Sequence, residues 1–188
     1  AGAIFGGVVN RAAEIEQIAN SANAIGESVE NVDAFGRAMA AMGGDAHGAR
    51  DSRTDMSESV GEALQDIESG RAKTFKALGV SLKGVDGQVV SPIEALMRLS
   101  DSVQNMSKQE AVFRIKELGI TDNKTVEAVL KGRQELTRLI DKQKEYGTLT
   151  KEQVKQAKEF NETLGGFKET LRATGSSIFQ AIMPALTG

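Results

Sequence analysis

Histidine and cysteine, two side chains that are often used in catalysis and metal binding, are scarce in this sequence. His47 is the only histidine, and the chain contains no cysteine. The lack of cysteine excludes disulfide bonds, thiol catalysis and cysteine-based metal sites. A lone histidine beside Gly48 and Arg50 is more often a surface or loop-adjacent residue than a ligand or a general base. We therefore expect no catalytic or metal-binding role for His47.

Carboxylates occur in close pairs, an arrangement that glycosidases use as acid and base. That chemistry needs two carboxyl groups in one cleft with pKa values that differ. Helical surfaces carry such pairs by default, and nothing in the sequence distinguishes the three found here: Glu14 with Glu16, Glu58 with Glu62, and Asp66 with Glu68. Asp122 and Asn123 lack the spaced oxygens and the closing glutamate of a calcium loop, so we interpret them as a helix cap.

Motifs of the common enzyme classes are absent from the sequence. It contains no HExxH, no GxSxG and no Walker-type glycine loop, so metalloprotease, hydrolase and nucleotide-hydrolysing functions lack their residues. The formal net charge is −3, and the lysines between 142 and 158 alternate with glutamate and glutamine. Specific nucleic-acid binding would need a basic face or stripe. We expect a non-enzymatic protein with no cofactor, no metal and no specific nucleic-acid binding.

The composition indicates a helical core built from small and aliphatic side chains. Hydrophobic residues make up 40% of the 188-residue chain, whereas aromatic residues make up only 4%. Small side chains let helices approach closely, but each buries little apolar area. We expect an all-α module, elongated or bundled, with modest stability as an isolated monomer and some dependence on partners.

A stretch rich in glycine and aspartate interrupts the helical periodicity in the middle of the chain. Gly84, Asp86 and Gly87 lie between two short segments with β-branched residues. This pattern predicts one short β-hairpin near residues 80–90. Gly87 is suited to the positive φ that such a turn requires.

A helix start follows the predicted hairpin directly. Ser91 can cap the helix, Pro92 suits its first position, and Glu94 completes a capping box. Segments with helical periodicity lie on both sides of the predicted hairpin. We therefore divide the chain into an N-terminal helical half (1–78), a hairpin connector (79–90) and a C-terminal helical half that ends in a long helix (91–188).

The last predicted helix carries apolar residues with a seven-residue period, and a companion row lies three positions further on. The residues of these rows that we assign to self-association are Ala157, Phe160, Leu164, Phe167, Leu171 and Ile178. Heptads of this kind predict a coiled-coil seam. Packing of the same stripe against the chain's own helices is the alternative.

The first residues of the chain, 1–9, are small, apolar and uncharged. One interpretation is a frayed first turn of the helix that follows. The other is the end of a hydrophobic, membrane-active segment, although this stretch alone is shorter than the roughly 20 residues that span a bilayer. Since the chain starts without methionine, we interpret it as an internal piece of a longer polypeptide.

Four weak signatures follow one another along the chain. They read RAAEIEQIANSANAIGESVENVDAFGRAMAAMGG, AKTFKALGVSLKGVDGQVVSPIEALMRLSDSV, KQEAVFRIKELGITDNKTVEAVLKGRQELTRLI and GTLTKEQVKQAKEFNETLGGFKETLRATGSSIFQAIMPAL. The first is similar to a segment of paired helices. The others are apolar helical stretches interrupted by glycines, and the last of them ends near a proline. In this order, and most strongly from Gly70 onward, they resemble bacteriophage tail tape measure proteins.

The resemblance implies a structural role in a phage or prophage-derived tail. Tape measure proteins run in several copies along the lumen of the tail tube, set its length during assembly, and leave before or with the DNA. Their ends contact the tip or baseplate and, in some members, the host envelope. The family thus implies a homo-oligomer, with a trimer as one candidate, in the virion tail and in the host cytoplasm during assembly. It implies tail tube and tip proteins as partners, and no catalytic residues.

The frequent helix-terminating signals in this sequence differ from what a segment that sets tail length should show. A ruler segment should be one long helix, because its length then grows by about 1.5 Å per residue. Glycines and capping boxes interrupt this sequence at short intervals, so we infer a folded module and not the rod of variable length. Two other hypotheses remain open: a non-catalytic helical part of a phage enzyme that penetrates the envelope, and a bacterial helical adaptor unrelated to virions.

Overall fold

The structure is a computed structural model that describes residues 2–173 of the chain. Within this range the backbone forms nine α-helices and no strand, which confirms the predicted all-α class. The helices are α1 (Gly2–Ala24), α2 (Val29–Ala41), α3 (Ala46–Gln65), α4 (Gly70–Ala77), α5 (Pro92–Ser102), α6 (Lys108–Glu117), α7 (Asn123–Leu130), α8 (Arg133–Glu145) and α9 (Lys151–Ala173).

Side-chain caps determine where most of these helices begin. A serine or aspartate oxygen accepts a hydrogen bond from an N–H group of the first turn, which the helix itself leaves unpaired. The cap residues include Ser28, Asp45, Ser91, Ser107 and Asp122. At the start of α9, Thr150 and Gln153 form a reciprocal capping box with N···O distances of 2.9 and 3.2 Å.

A tight turn at residues 66–69 separates α3 from α4. The Oδ1 atom of Asp66 accepts a hydrogen bond from the Glu68 N–H at 2.9 Å, and the Ser69 N–H donates to the Asp66 carbonyl at 3.1 Å. Ser69 then caps α4 by accepting from the Ala72 N–H. The turn leaves the side chain of Ile67 77% exposed.

The predicted β-hairpin near residues 80–90 is not confirmed. The described chain has a single antiparallel bridge between Lys83 and Val89 and no strand on either side of it. The Gly84 N–H donates to the Gln88 carbonyl at 2.8 Å, and Gly87 has a φ of +77°. The turn chemistry is therefore present, but the two flanking segments are too short for an isolated pair of strands to be stable.

The described residues divide into two compact units. Unit 1 comprises residues 2–20 and 149–173, and unit 2 comprises residues 21–148. The segment 79–90, which we predicted as a connector between two halves, lies within unit 2. Helices from both sides of this segment pack together there, since α2 contacts α8 and α3 contacts α5.

The core of unit 2 is aliphatic, as the composition predicted. Phe35 and Phe75 are its buried aromatic residues among those described, and alanine, leucine, isoleucine, valine and methionine supply the rest. The largest fully buried apolar side chains here are Phe35, Met39, Met56, Leu96, Leu99, Ile115, Leu118, Ile120 and Leu136. Glycines close several of these helices. Gly79, for example, has a φ of +67° and lets the Val80 N–H reach the Phe75 carbonyl at 2.9 Å.

Of the N-terminal stretch 1–9, which we interpreted as a frayed turn or as the end of a membrane segment, residues 2–9 belong to α1 (Gly2–Ala24). Throughout residues 2–173, no helix combines the length and the apolar character that crossing a membrane requires.

Candidate interaction surface

In the described chain, His47 contacts a carboxylate but is not part of a group of potential metal ligands. His47 is exposed in the first turn of α3, with its Nδ1 atom 3.1 Å from Asp51 Oδ2. Hydrogen bonds from the N–H groups of His47 and Gly48 lower the pKa of Asp45, the cap of this helix. In the part of the chain that the structure describes, no group of three or more histidine, aspartate and glutamate side chains is placed to hold a metal ion.

Four of the six carboxylates singled out in the sequence have a side-chain partner of their own. Glu14 forms an ion pair with Arg11 at 2.7 Å, and Glu16 accepts a hydrogen bond from Asn161 at 2.7 Å. Glu62 lies 3.2 Å from Arg71, and Glu68 lies 3.3 Å from Lys73. Glu58 contributes instead to an acidic row on α3, where burial and the nearby charges of Glu58 and Asp51 raise the pKa of Asp55.

A buried ion pair between Glu27 and Arg53 joins three segments of unit 2. Arg53 lies on α3 with its side chain fully buried, and its Nη2 atom pairs with Oε2 of Glu27 in the loop before α2. Its Nη1 atom donates to the Asn31 carbonyl at 2.7 Å, and its guanidinium lies 5.4 Å from the ring centroid of Phe35. The other oxygen of Glu27 accepts the Ile93 N–H at 2.9 Å, in the first turn of α5.

Burial lowers the pKa of Arg53 to about 9. The guanidinium therefore remains charged at neutral pH, and Glu27 supplies the opposite charge that a buried cation requires. One sequence signal marks this site: Arg53 occupies a place in the apolar stripe of α3, three residues before the buried Met56. Neither side chain of the pair is open to solvent. We therefore interpret the pair as a structural feature that stabilises unit 2.

A second polar network ties the turn at residues 81–89 to the helices. Arg98 donates from Nη1 to the carbonyls of Ser81 and Lys83 at 2.8 and 2.9 Å, and from Nε to Glu94 at 2.8 Å. Glu94 also accepts two hydrogen bonds from Arg133 on α8. Partial burial raises the pKa of Glu94, but the hydrogen bonds from Arg133 and Arg98 outweigh that effect and lower it overall.

The structure places the predicted turn residues at one end of α5. Gly84 and Gly87 form the turn, and the Asp86 Oδ1 atom accepts the Gln88 N–H at 3.0 Å. Ser91 caps α5, Pro92 begins it, and the Glu94 N–H donates to Ser91 Oγ at 3.3 Å. These residues position a helix and present no reactive group to a cleft.

The predicted self-association residues on α9 lie in unit 1. An open groove of about 460 Å³ runs between the described parts of α1 and α9. Its lining residues are mainly apolar: Ile4, Gly7, Val8, Arg11, Ala12, Ile15, Gln153, Gln156, Ala157 and Phe160. We call this feature the α1–α9 groove.

Exposure along α9 increases beyond this groove. Ala157 is buried and Phe160 and Leu164 are half-buried, whereas Phe167 is 43% exposed. The side chain of Leu171 and the whole of Ile178 lie outside what the structure describes. The structure therefore brings together only the first part of the predicted rows.

The contribution of α1 to this groove was not assigned from the sequence. Ile4 and Val8 are 75% and 49% exposed, and the Asn161 side chain donates to Glu16 at 2.7 Å. The alternating four- and three-residue steps of Val8, Ala12 and Ile15 are a signal of an apolar face. Sequence periodicity alone does not tell which distant helix such a face meets.

A second groove, of about 580 Å³, lies in unit 2 between the end of α5 and helices α6 and α7. Its apolar floor consists of Val103, Met106, Val112, Val126 and Leu130, and its rim carries Lys108, Lys116 and Lys131. We call it the lysine-rimmed groove. Glu127 pairs with Lys131 at 3.2 Å and with the neighbouring Lys124 at 2.9 Å. Among the described residues, no carboxylate forms an ion pair with Lys108 or Lys116.

Comparisons with protein-family models, with curated proteins and with solved structures give no match for this chain.

Proposed function

We propose that this chain is a folded, non-enzymatic module of a bacteriophage tail tape measure protein, and that it associates with further copies of itself through α9. The order of its sequence signatures supports the placement in a tail. The all-α fold, with helices that end at glycines and begin at side-chain caps, is compatible with a folded module of such a protein.

The observation that carries the self-association is the exposed continuation of the α9 rows. Unit 2 has an aliphatic core of its own, whereas the α1–α9 groove is open and Phe167 is 43% exposed. Some apolar side chains at heptad positions remain partly exposed in the single chain. An equivalent helix from a second copy can bury them by packing against them. A homo-oligomer, with a trimer as one candidate, would cover them.

The proposal includes the finer features predicted from the sequence. The heptad rows would form the contact between copies, and the bridge between Lys83 and Val89 would be one pair of a short hairpin at residues 80–90. In the assembled virion the module would lie in the tail tube or at its tip, next to tail tube and baseplate proteins. Contact with the host envelope, as in some tape measure proteins, would follow during genome delivery.

A pair of matched variants tests the self-association. Leu164→Asp combined with Phe167→Asp places two charges in the α9 rows, and the mass measured by light scattering should fall while helicity is retained. Gly165→Asp combined with Gly166→Asp adds the same charge to the same turns, at exposed positions with no atom within 4 Å of an added Cβ. The control should keep the parental mass. Equal, monomeric masses for the parent and the first variant would contradict self-association through α9.

The tail assignment needs a separate measurement. In the phage or prophage whose genome encodes this chain, mass spectrometry of purified tails should detect it, and deletion of its gene should abolish tails or alter their length. Normal tails that lack the protein would reject the assignment. Cleavage of peptidoglycan by the full-length protein, with the catalytic residues outside these helices, would instead favour the enzyme-associated alternative.

A further inference from the structure

Unit 2 carries two surfaces with complementary charge, and neither belongs to the α1–α9 groove. The first is the lysine-rimmed groove, where apolar side chains lie beneath Lys108 and Lys116. Both lysines are exposed and lack a carboxylate partner among the described residues. An apolar floor with uncompensated positive charge at its edge suits an apolar residue that is flanked by carboxylates.

The second surface is the turn between α3 and α4, and it has that chemistry. Ile67 is 77% exposed and stands between Asp66 and Glu68, with Leu64 38% exposed nearby. We call these residues, 64–68, the acidic corner. A large aliphatic side chain held in solvent by a tight turn costs solvation free energy, which burial in a partner would recover.

The acidic row on α3 extends the negative charge beyond the corner. Asp51, Asp55, Glu58 and Glu62 follow one another at spacings of four, three and four residues. Burial, together with the charges of Glu58 and Asp51, raises the pKa of Asp55. Glu62 and Glu68 are each offset by one cation, Arg71 and Lys73. The region remains net acidic, because Asp66 and Glu58 form no ion pair among the described residues.

We propose that the acidic corner of one copy docks in the lysine-rimmed groove of a second copy, with Ile67 on the apolar floor and Asp66 and Glu68 beside Lys108 and Lys116. The two surfaces differ, so the contact is head-to-tail, and repetition of it generates a ring or an open chain of copies. This contact goes beyond self-association through α9, because it uses different residues and connects copies in a different way.

The contact has two expected properties. Its apolar part is small, since one isoleucine is the main anchor, so association is weak and depends on concentration. Its polar part consists of exposed charges at the rim, so association weakens as salt screens them. Both properties distinguish it from a heptad seam, whose apolar contacts respond little to salt.

The test uses the full chain with Leu164→Asp and Phe167→Asp, so that α9 no longer contributes. Sedimentation velocity at increasing protein concentration should still show a salt-sensitive rise in mass. Ile67→Asp should abolish that rise, and so should Lys108→Glu combined with Lys116→Glu. Val85→Asp is the matched control, because Val85 is fully exposed in unit 2 but belongs to neither surface; it should change nothing.

A mixing experiment decides whether the contact is head-to-tail. The Ile67→Asp variant keeps an intact groove, and the doubly charge-reversed variant keeps an intact corner, so an equimolar mixture should form 1:1 dimers and stop there. A background chain that stays monomeric at all concentrations overturns the proposal, and so does a mixture that stays monomeric. Association that persists in Ile67→Asp also overturns it. None of these results bears on self-association through α9, which the parent chain tests separately.

Discussion

Arg133 donates two hydrogen bonds to the two carboxylate oxygens of Glu94, both at 3.2 Å. This contact joins the first turn of α8 to the first turn of α5, across 39 positions of the sequence. The Nε atom of the same guanidinium donates to Asp101 at 2.6 Å. Because the planar guanidinium serves two carboxylates at once, a lysine could not reproduce the arrangement.

Arg133→Lys should lower the free energy of unfolding of unit 2 by about 0.5–1 kcal/mol, a value set by the partial exposure of the pair. The charge is kept, so the loss comes from the paired hydrogen bonds and not from the net charge. Urea denaturation monitored by circular dichroism measures it. Lys142→Arg, at an exposed position on the same helix, is the control and should leave stability unchanged.

The same network makes stability depend on pH. The pKa of Glu94 in the folded chain lies below its ordinary value of 4.5. Ionised Glu94 therefore stabilises the fold above about that pH, and this contribution is lost as the pH falls through the folded pKa. In urea titrations from pH 7 downward, the parent should be more stable than Glu94→Gln at neutral pH, and the difference should narrow in acid. A difference that stays constant down to pH 3 would contradict this account.

Breaking the buried pair should cost far more than breaking an exposed one. Arg53→Met leaves the Glu27 carboxylate buried without its cation, and the free energy of unfolding should fall by about 3–5 kcal/mol. Glu27→Gln combined with Arg53→Met removes both charges and keeps an oxygen for the Ile93 N–H, so the double variant should be more stable than Arg53→Met alone. Thermal and urea unfolding of the three chains provide the comparison.

Arg138 supplies the matched control for this prediction. It pairs with Glu135 at 2.6 Å, but its side chain is largely exposed, so Arg138→Met should leave the free energy of unfolding nearly unchanged. Equal losses for Arg53→Met and Arg138→Met would show that the pair at Arg53 is open to water.

Gly87→Val should destabilise unit 2 through backbone strain. The φ of Gly87 is +77°, and an added Cβ would meet no atom within 4 Å, so conformation and not crowding sets the cost. A β-branched residue in this region costs roughly 1–2 kcal/mol. Gly87→Asn should cost less, because asparagine tolerates the left-handed conformation.

Gly61 provides a control for this glycine. It lies inside α3, also with no atom within 4 Å of an added Cβ, and Gly61→Ala should raise stability by roughly 0.5–1 kcal/mol. Melting curves report both changes. An unchanged melting temperature in Gly87→Val would mean that the turn relaxes to another conformation.

Local signals predicted the helices well because they act over a few residues. Ser91 and Pro92 start α5, and Ser107 starts α6, with caps that depend on neighbouring N–H groups alone. The hairpin shows the limit of such signals. Gly84 and Gly87 form the turn, but strand length depends on what the flanking residues pack against, and Val80 is buried in the helical core.

Contacts between residues that are distant in the sequence could not be predicted from sequence patterns. Arg53 stands in an apolar stripe, yet nothing near it in the sequence points to Glu27 in the preceding loop. Likewise, Asn161 on α9 donates a hydrogen bond to Glu16 on α1, although the two residues are 145 positions apart in the sequence. Periodicity describes one helix at a time, whereas pairing depends on the geometry of the folded chain.

The Glu27 carboxylate serves Arg53 with one oxygen and the amide of Ile93 with the other. Three segments that are remote in the chain thus depend on a single side chain, and none of them can detach without leaving a buried charge or a bare N–H group. Partial opening of α5 should therefore be rare compared with cooperative unfolding of the whole unit. The amide proton of Ile93 should exchange with deuterium among the slowest in the chain, although it belongs to the first turn of a helix.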